Sequence, residues 1–149
     1  MLVSQRAQYA VRAVFELARR ADQEWVKISD IAETQAIPVR FLEVILNQLK
    51  QAGFVASKRG SEGGYHLARS ASDLTVGEVL QFVDGPYGPV ECLVGGPGER
   101  CPLHGNCSFL GLWEKARKAV SQVYDKTTFL SLVEEEAARR QKQVLNFTI

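Results

Sequence analysis

All three cysteines of this 149-residue chain fall in one stretch, and a histidine stands among them. They are Cys92, Cys101 and Cys107, with His104 midway between the last two. Thiolates and imidazoles are ligands for iron–sulfur clusters and for zinc. Thiols alone can instead pair as a disulfide, which in a reducing compartment marks a redox sensor. The segment 85–106, which carries Cys92 and Cys101 and has Cys107 at its edge, holds six of the chain's twelve glycines and most of its prolines. It shows little periodicity and reads as a loop of roughly 20 residues, longer than a compact domain keeps without a reason. A ligand that orders it is such a reason. Four readings stand open. An iron–sulfur cluster, of unknown type, would take three thiolates and a fourth ligand. Zinc would take Cys92 together with Cys101-x-x-His104-x-x-Cys107 as a Cys₃His tetrahedron. A thiol switch needs no metal. In the fourth reading the cysteines are incidental small residues.

The segment before the loop, 28–67, reads as a helix-turn-helix followed by a β-wing. Within 38–51, Leu42, Ile45 and Leu49, with Ala52 beyond, recur at steps of three and four and predict one inward face. Arg40, Glu43, Asn47 and Gln51 recur at the same steps on another face, free to meet a partner. Pro38 suits the helix start and Gly53 the stop. A shorter helix, 29–35, turns Ile31 and Ala32 inward, with Ser29 as its expected cap and Asp30 in its first turn. The link between the two helices has room only for a tight turn. Such a pair lays its second helix in the major groove, unless it is a plain helical hairpin of an all-α core.

Phe54-Val55-Ala56-Ser57 and Tyr65-His66-Leu67 read as two pairing strands, and Trp25-Val26-Lys27 as a short strand joining them. Between the two lies Lys58-Arg59-Gly60-Ser61-Glu62-Gly63-Gly64, a glycine-rich turn with two cations at its tip. A basic tip directly after a helix-turn-helix can reach phosphates or a narrow minor groove. Arg40, Glu43 and Asn47 are therefore candidate base or phosphate readers, with Arg suited to guanine and Glu to cytosine N4. Lys58 and Arg59 are candidate wing contacts.

Other elements frame these. A first helix over 4–21 has Ala7, Ala10, Val14, Leu17, Ala18 and Ala21 as its inward stripe. Gln5, Arg6 and Gln8 near its start are candidates to meet a phosphate at the helix N-terminus. A helix over 74–84 begins with a Thr75/Glu78 capping box, with Leu74 and Val79 placed as a hydrophobic staple. After the loop, 108–124 is amphipathic, with Phe109, Leu112, Trp113, Ala116, Val120 and Val123 on one side. A small domain that already has a core commonly offers such a helix to a partner helix. A last helix over 128–142 carries Phe129, Leu130, Leu132 and Val133, and the tail 144–149 alternates apolar residues as if to dock or pair.

Composition sets bounds. Hydrophobic residues are 46% of the chain, enough for a core, and no apolar run approaches the ~20 residues of a membrane span. The N-terminus shows no secretory pattern, so the cytoplasm is the expected location. Net charge is only +1. Residues 1–70 hold 10 Lys and Arg against 7 Asp and Glu, a balance of +3, and residues 71–149 hold 8 against 10, a balance of −2. The basic half holds the proposed reader. No nucleophile–base–acid set and no strand-borne phosphate loop is present, so nothing points to an enzyme.

Tyr9-Ala10-Val11-Arg12, Ile31-Ala32-Glu33, Phe41-Leu42-Glu43, Ala52-Gly53 and above all Arg59-Gly60 with Gly63-Gly64-Tyr65 resemble the IscR/NsrR/CymR family of bacterial winged-helix regulators. The resemblance runs from about residue 4 to 132, and its wing block is its most specific part. It implies a mainly α fold with a small β-wing: a winged helix-turn-helix over 1–84, a cysteine sensor loop over 85–107, and a dimerisation helix with a C-terminal helix and tail over 108–149. It further implies a homodimer on a pseudo-palindromic double-stranded DNA operator, acting as a repressor. Cluster-binding members place three cysteines in this loop. Two departures stand out. IscR-like members have a histidine three residues after the third cysteine, where this chain has Leu110. NsrR-like members use an Asp just before the Tyr-Ala pair, where this chain has Gln8. His104 is then the chemical substitute, with Glu91 or Glu99 behind it. The alternative function is a zinc- or thiol-redox-sensing regulator or adaptor that acts through a partner protein.

Overall fold

An alanine-rich face on the first helix sets the architecture. In the computed structural model, which describes residues 2–95 and 101–148, α1 spans Gln5–Arg19. Ala7, Ala10, Ala13 and Val14 on it have no solvent exposure. Small side chains let neighbours approach closely, and α1 packs against α2 (Ile28–Gln35), α3 (Val39–Gln51), α4 (Val76–Asp84) and α6 (Phe129–Phe147). The remaining helix, α5 (Leu110–Lys126), packs on α4, and a single 3₁₀ turn covers Glu91–Leu93.

The helix-turn-helix forms as expected. Leu42, Ile45 and Leu49 face inward on α3, joined by Leu46. The turn before it works because Ala36 takes a left-handed conformation at φ 50° and Ile37 donates its N–H to the Ala32 carbonyl at 2.9 Å. Strands β1 (Val55–Lys58) and β2 (Gly64–Leu67) pair antiparallel, and Val26 joins through a bridge to Tyr65. Gly64 is obligatory there: at φ 154° a Cβ would lie 2.4 Å from the Val26 carbonyl oxygen. The Thr75/Glu78 capping box at α4 is complete, and Leu74 and Val79 are both fully buried.

Four expectations need correction. Ala21 and Ala52 are exposed, because α1 ends at Arg19 and α3 at Gln51, so each lies past the last helical turn. Ser29 is not a cap; α2 begins one residue earlier, after Lys27, whose side chain makes no capping bond. The C-terminal tail is not strand-like, since α6 continues to Phe147. The run EEEAARRQKQ is built from strong helix formers, and Arg140 pairs with Glu136 at 2.7 Å, so the helix has no reason to stop at 142. Ile149 lies outside the described residues.

The two long C-terminal helices are anchored at their junction. Phe129 is fully buried, its N–H donates to the Leu74 carbonyl at 3.0 Å, and Val76 donates to the Thr127 carbonyl at 2.9 Å. Gly77 permits this approach, as a Cβ there would fall 2.0 Å from Asp125 Oδ1.

One charged side chain is buried among the described residues. Glu16 accepts from Arg19 at 2.7 Å, from Gln35 on α2 at 2.8 Å and from Arg20 at 2.5 Å. Arg20 continues to Thr34 at 3.0 Å, and Arg19 stands 4.0 Å from Glu136 on α6. Burial alone would raise the Glu16 pKa; the hydrogen bonds from Arg19, Gln35 and Arg20 outweigh it and hold the carboxyl below the ordinary 4.5. A depressed folded-state pKa gives stability that is complete above the unfolded value and is lost as pH falls through the folded value. The urea midpoint should therefore fall with acid below pH 4.5. Glu16→Gln should lose about 3 kcal/mol at neutral pH and show a shallower acid loss.

Candidate nucleic-acid interface and cysteine cleft

Arg40, Glu43 and Asn47 are all exposed on the outer face of α3, as their spacing requires. Sequence reasoning missed what surrounds them. The Arg40 guanidinium lies 4.7 Å above the Phe41 ring, Phe41 is 6.5 Å from Tyr9, and the Arg12 guanidinium lies 4.9 Å above Tyr9. Two packed aromatic rings flanked by two cations thus bridge α1 and α3. Stacking restricts the Arg40 plane while its edge N–H groups stay available to an acceptor. Phe41 falling outside the buried α3 stripe was the signal for this in the sequence.

The wing is held at its base and presents its cations at the tip. Trp25 stacks on His66 at 4.2 Å, and Lys27 Nζ donates to the Ser61 carbonyl at 2.6 Å across the turn. Lys58 ends β1, exposed, 5.9 Å from the Trp25 ring, and Arg59 is exposed in the turn itself. Lys27 is a second residue the sequence did not single out.

Gln5 and Arg6 are drawn into internal bonds. Gln5 Nε2 donates to Tyr9 Oη at 2.9 Å, and Arg6 donates to the Val83 carbonyl at the end of α4, at 2.6 Å. The start of α1 also faces an anion of the chain's own: Ser4 N donates to Asp84 Oδ2 at 2.9 Å. A phosphate there would have to displace a carboxylate.

The cysteine loop closes on one side of a cleft of about 640 Å³. Cys92, Cys101, Cys107, His104 and Glu91 line it, with Val90, Leu103, Leu110 and Trp113 as its apolar wall. Cys92 and Cys101 are exposed and Cys107 is half-buried. Among the described residues no three His, Cys, Asp or Glu side chains converge closely enough to hold a metal ion as placed. The donor set itself fits a soft metal or a cluster: three thiols, an imidazole and a carboxylate around one apolar space. Convergence would need the loop to contract. Glu99 lies outside the described residues. The loop is latched to its surroundings on both sides. Arg117 on α5 donates to the Leu93 carbonyl at 3.3 Å, beside Cys92. Tyr87 donates its hydroxyl to Asp125 on α5, accepts from Gln81 on α4 at 2.9 Å and packs edge-on to Tyr124 at 5.4 Å.

The family of iron-dependent transcriptional regulators named Rrf2 matches residues 3–135. The chain belongs to the Rrf2 family. Its relatives include the protein rrf2 of Nitratidesulfovibrio vulgaris, 33% identical over 91% of this chain and 89% of that protein. The transcriptional regulator IscR of Photobacterium profundum is 32% identical over 98% of this chain and 86% of that one. Among solved structures, CymR, the global cysteine regulator of B. subtilis, superposes with a TM-score of 0.76 at 30% identity, over 91% of this chain and 98% of CymR. IscR of T. potens superposes with a TM-score of 0.73 at 29% identity, over 91% of this chain and 88% of that chain. This Rrf2-family chain is thus a winged-helix protein from a family of transcriptional regulators, not of enzymes. No helix among its described residues is long and apolar enough to cross a membrane.

If the wing cations meet phosphate, their loss must show in the counterions released on binding. Arg59→Ala should weaken operator binding and lower the slope of log affinity against log salt by about one unit. Fluorescence anisotropy across a salt series checks this, and an unchanged slope removes Arg59 from the interface.

Proposed function

We propose that this chain is a homodimeric, cytoplasmic repressor whose grip on a pseudo-palindromic operator is set by an iron–sulfur cluster at Cys92, Cys101 and Cys107. The observation that carries the proposal is that every thiol of the chain lines one cleft, at the root of α5. His104 is the proposed fourth ligand, with Glu91 the nearest alternative in the same lining. The cluster would supply a centre that oxidants, nitric oxide or iron shortage can dismantle. Winged domain, sensor loop and dimerisation helices keep the boundaries 1–84, 85–107 and 108–149.

Dimerisation is assigned to α5. None of its residues is buried: Leu112 and Val123, with Phe109 at the cap, stand more than half exposed, Leu110 is exposed as well, and Trp113 and Val120 are only half-buried. A second copy would cover that surface and set two α3 helices on successive turns of DNA. Arg40, Glu43, Asn47, Lys58 and Arg59 make the contacts; Gln5 acts by bonding Tyr9 within α1, and Arg6 by holding α1 to α4.

Control follows a line of contacts. Ordering the loop pulls on Tyr87, which joins α4 to α5. The end of α4 is tied to α1 through Asp84 with Ser4 and Val83 with Arg6. From α1, Tyr9 leads to Phe41 and Arg40. A loop with two states would therefore bias the spacing and aim of the readers.

Thiol switching is the second reading, favoured by the exposure of Cys92 and Cys101. An oxidised form of Staphylococcus aureus CymR has been solved, and it superposes with a TM-score of 0.69 at 28% identity over 90% of this chain and 97% of CymR. Anaerobic purification with a visible spectrum and iron, sulfide and zinc analysis separates the readings. Iron and sulfide in near-equal amounts, lost in Cys92→Ala, is the expected result. One zinc per chain would replace the cluster by a Cys₃His site, and a metal-free protein would leave the thiol pair.

A further inference from the structure

We infer that Val44 is a base-reading residue that contacts the C5-methyl group of a thymine in the operator. The inference rests on the DNA-binding reading above and names what the middle of that surface recognises. Val44 lies four residues after Arg40 and three before Asn47, so the three form one strip along α3. It is 56% exposed, more than Val39 or Phe41 on the same helix. Phe41 has a use, since Tyr9 and Arg40 pack on its ring. Val44 is left open between two polar readers.

The major groove offers one apolar group to such a side chain. Among the donors and acceptors of its floor the thymine methyl is the one projecting apolar group; cytosine has only a hydrogen at that place. Valine carries no polar atom and holds one side-chain rotamer in a helix, so it presents a fixed apolar shape. Arg40 precedes it by about 6 Å of helix rise and Asn47 follows by about 4.5 Å. Base pairs stack about 3.4 Å apart, so the three side chains together span about three base steps. With Arg suited to guanine and Asn to adenine, the half-site should hold a thymine between a guanine and an adenine within a few base pairs.

The test removes one methyl at a time. The full-length chain selects its operator from a pool of randomised duplexes. Each thymine of one half-site is then replaced by deoxyuracil, which deletes only the C5-methyl, and binding is followed by fluorescence anisotropy. At one thymine the wild-type chain should lose about fourfold in affinity, the worth of one buried methyl. Val44→Ala should bind the intact operator about that much more weakly and be indifferent to the same uracil. Val44→Thr, which keeps a methyl and the branch, should retain part of the discrimination. Val44 is exposed, so neither variant threatens the fold, and thermal unfolding confirms this. The inference is overturned if no uracil costs the wild type anything, or if each costs wild type and Val44→Ala equally. Failure to retain any duplex specifically would instead sink the DNA-binding reading itself, and this inference with it.

Discussion

The structure depends on what α1 can hold at its centre. One face of that helix is alanine, which lets four other helices reach its backbone. A buried carboxylate on the same helix would be costly unless fully met, and Glu16 is met by Arg19, Arg20 and Gln35. That set fixes α2, the first half of the helix-turn-helix. Through Arg19 it also reaches Glu136, so the C-terminal helix is registered on the same point. Hydrophobic packing alone would hold these helices together; the ion network specifies how far each may slide.

From that centre the molecule extends in two directions. One leads through Tyr9 and Phe41 to Arg40, and through Val26 and Trp25 to the wing. The other leads through α4 and the buried Phe129 to two long helices with mostly open surfaces. The cysteine cleft lies where the second direction begins, latched by Tyr87 and Arg117. The outer face of α3, the cysteine cleft and an open apolar helix are joined by one line of contacts, and the proposed regulation needs only that the latch have two arrangements.

Much of this was legible in the residues. Period-3.6 spacing placed α3 because its inward and outward sets are each pure enough to separate. The wing was legible because Gly63 and Gly64 serve backbone approaches that admit no side chain. The capping box at Thr75 and Glu78 is local chemistry, so sequence carries it whole. What escaped depends on partners distant in sequence. Glu16 looks like a surface residue until Gln35 and Arg20 are seen around it. Arg6 looks free until the Val83 carbonyl is found beside it. The alternating tail looked like a strand because its apolar spacing was read without the helix-forming run that precedes it. The cysteines show the reverse case: their number and spacing left several chemistries open, and the fold adds that they line one cleft.

The most direct test of the account compares one operator duplex under two states of the cleft. Anisotropy titrations under strictly anaerobic conditions would use the chain reconstituted with iron and sulfide, the same chain stripped by chelator and reductant, and Cys92→Ala treated both ways. The account predicts that operator affinity of the wild-type chain shifts tenfold or more between the two states, a coupling of about 1.4 kcal/mol, while Cys92→Ala stays at one value. Equal affinity for the wild type in both states would contradict it, leaving a DNA-binding regulator whose cysteines do not set its grip.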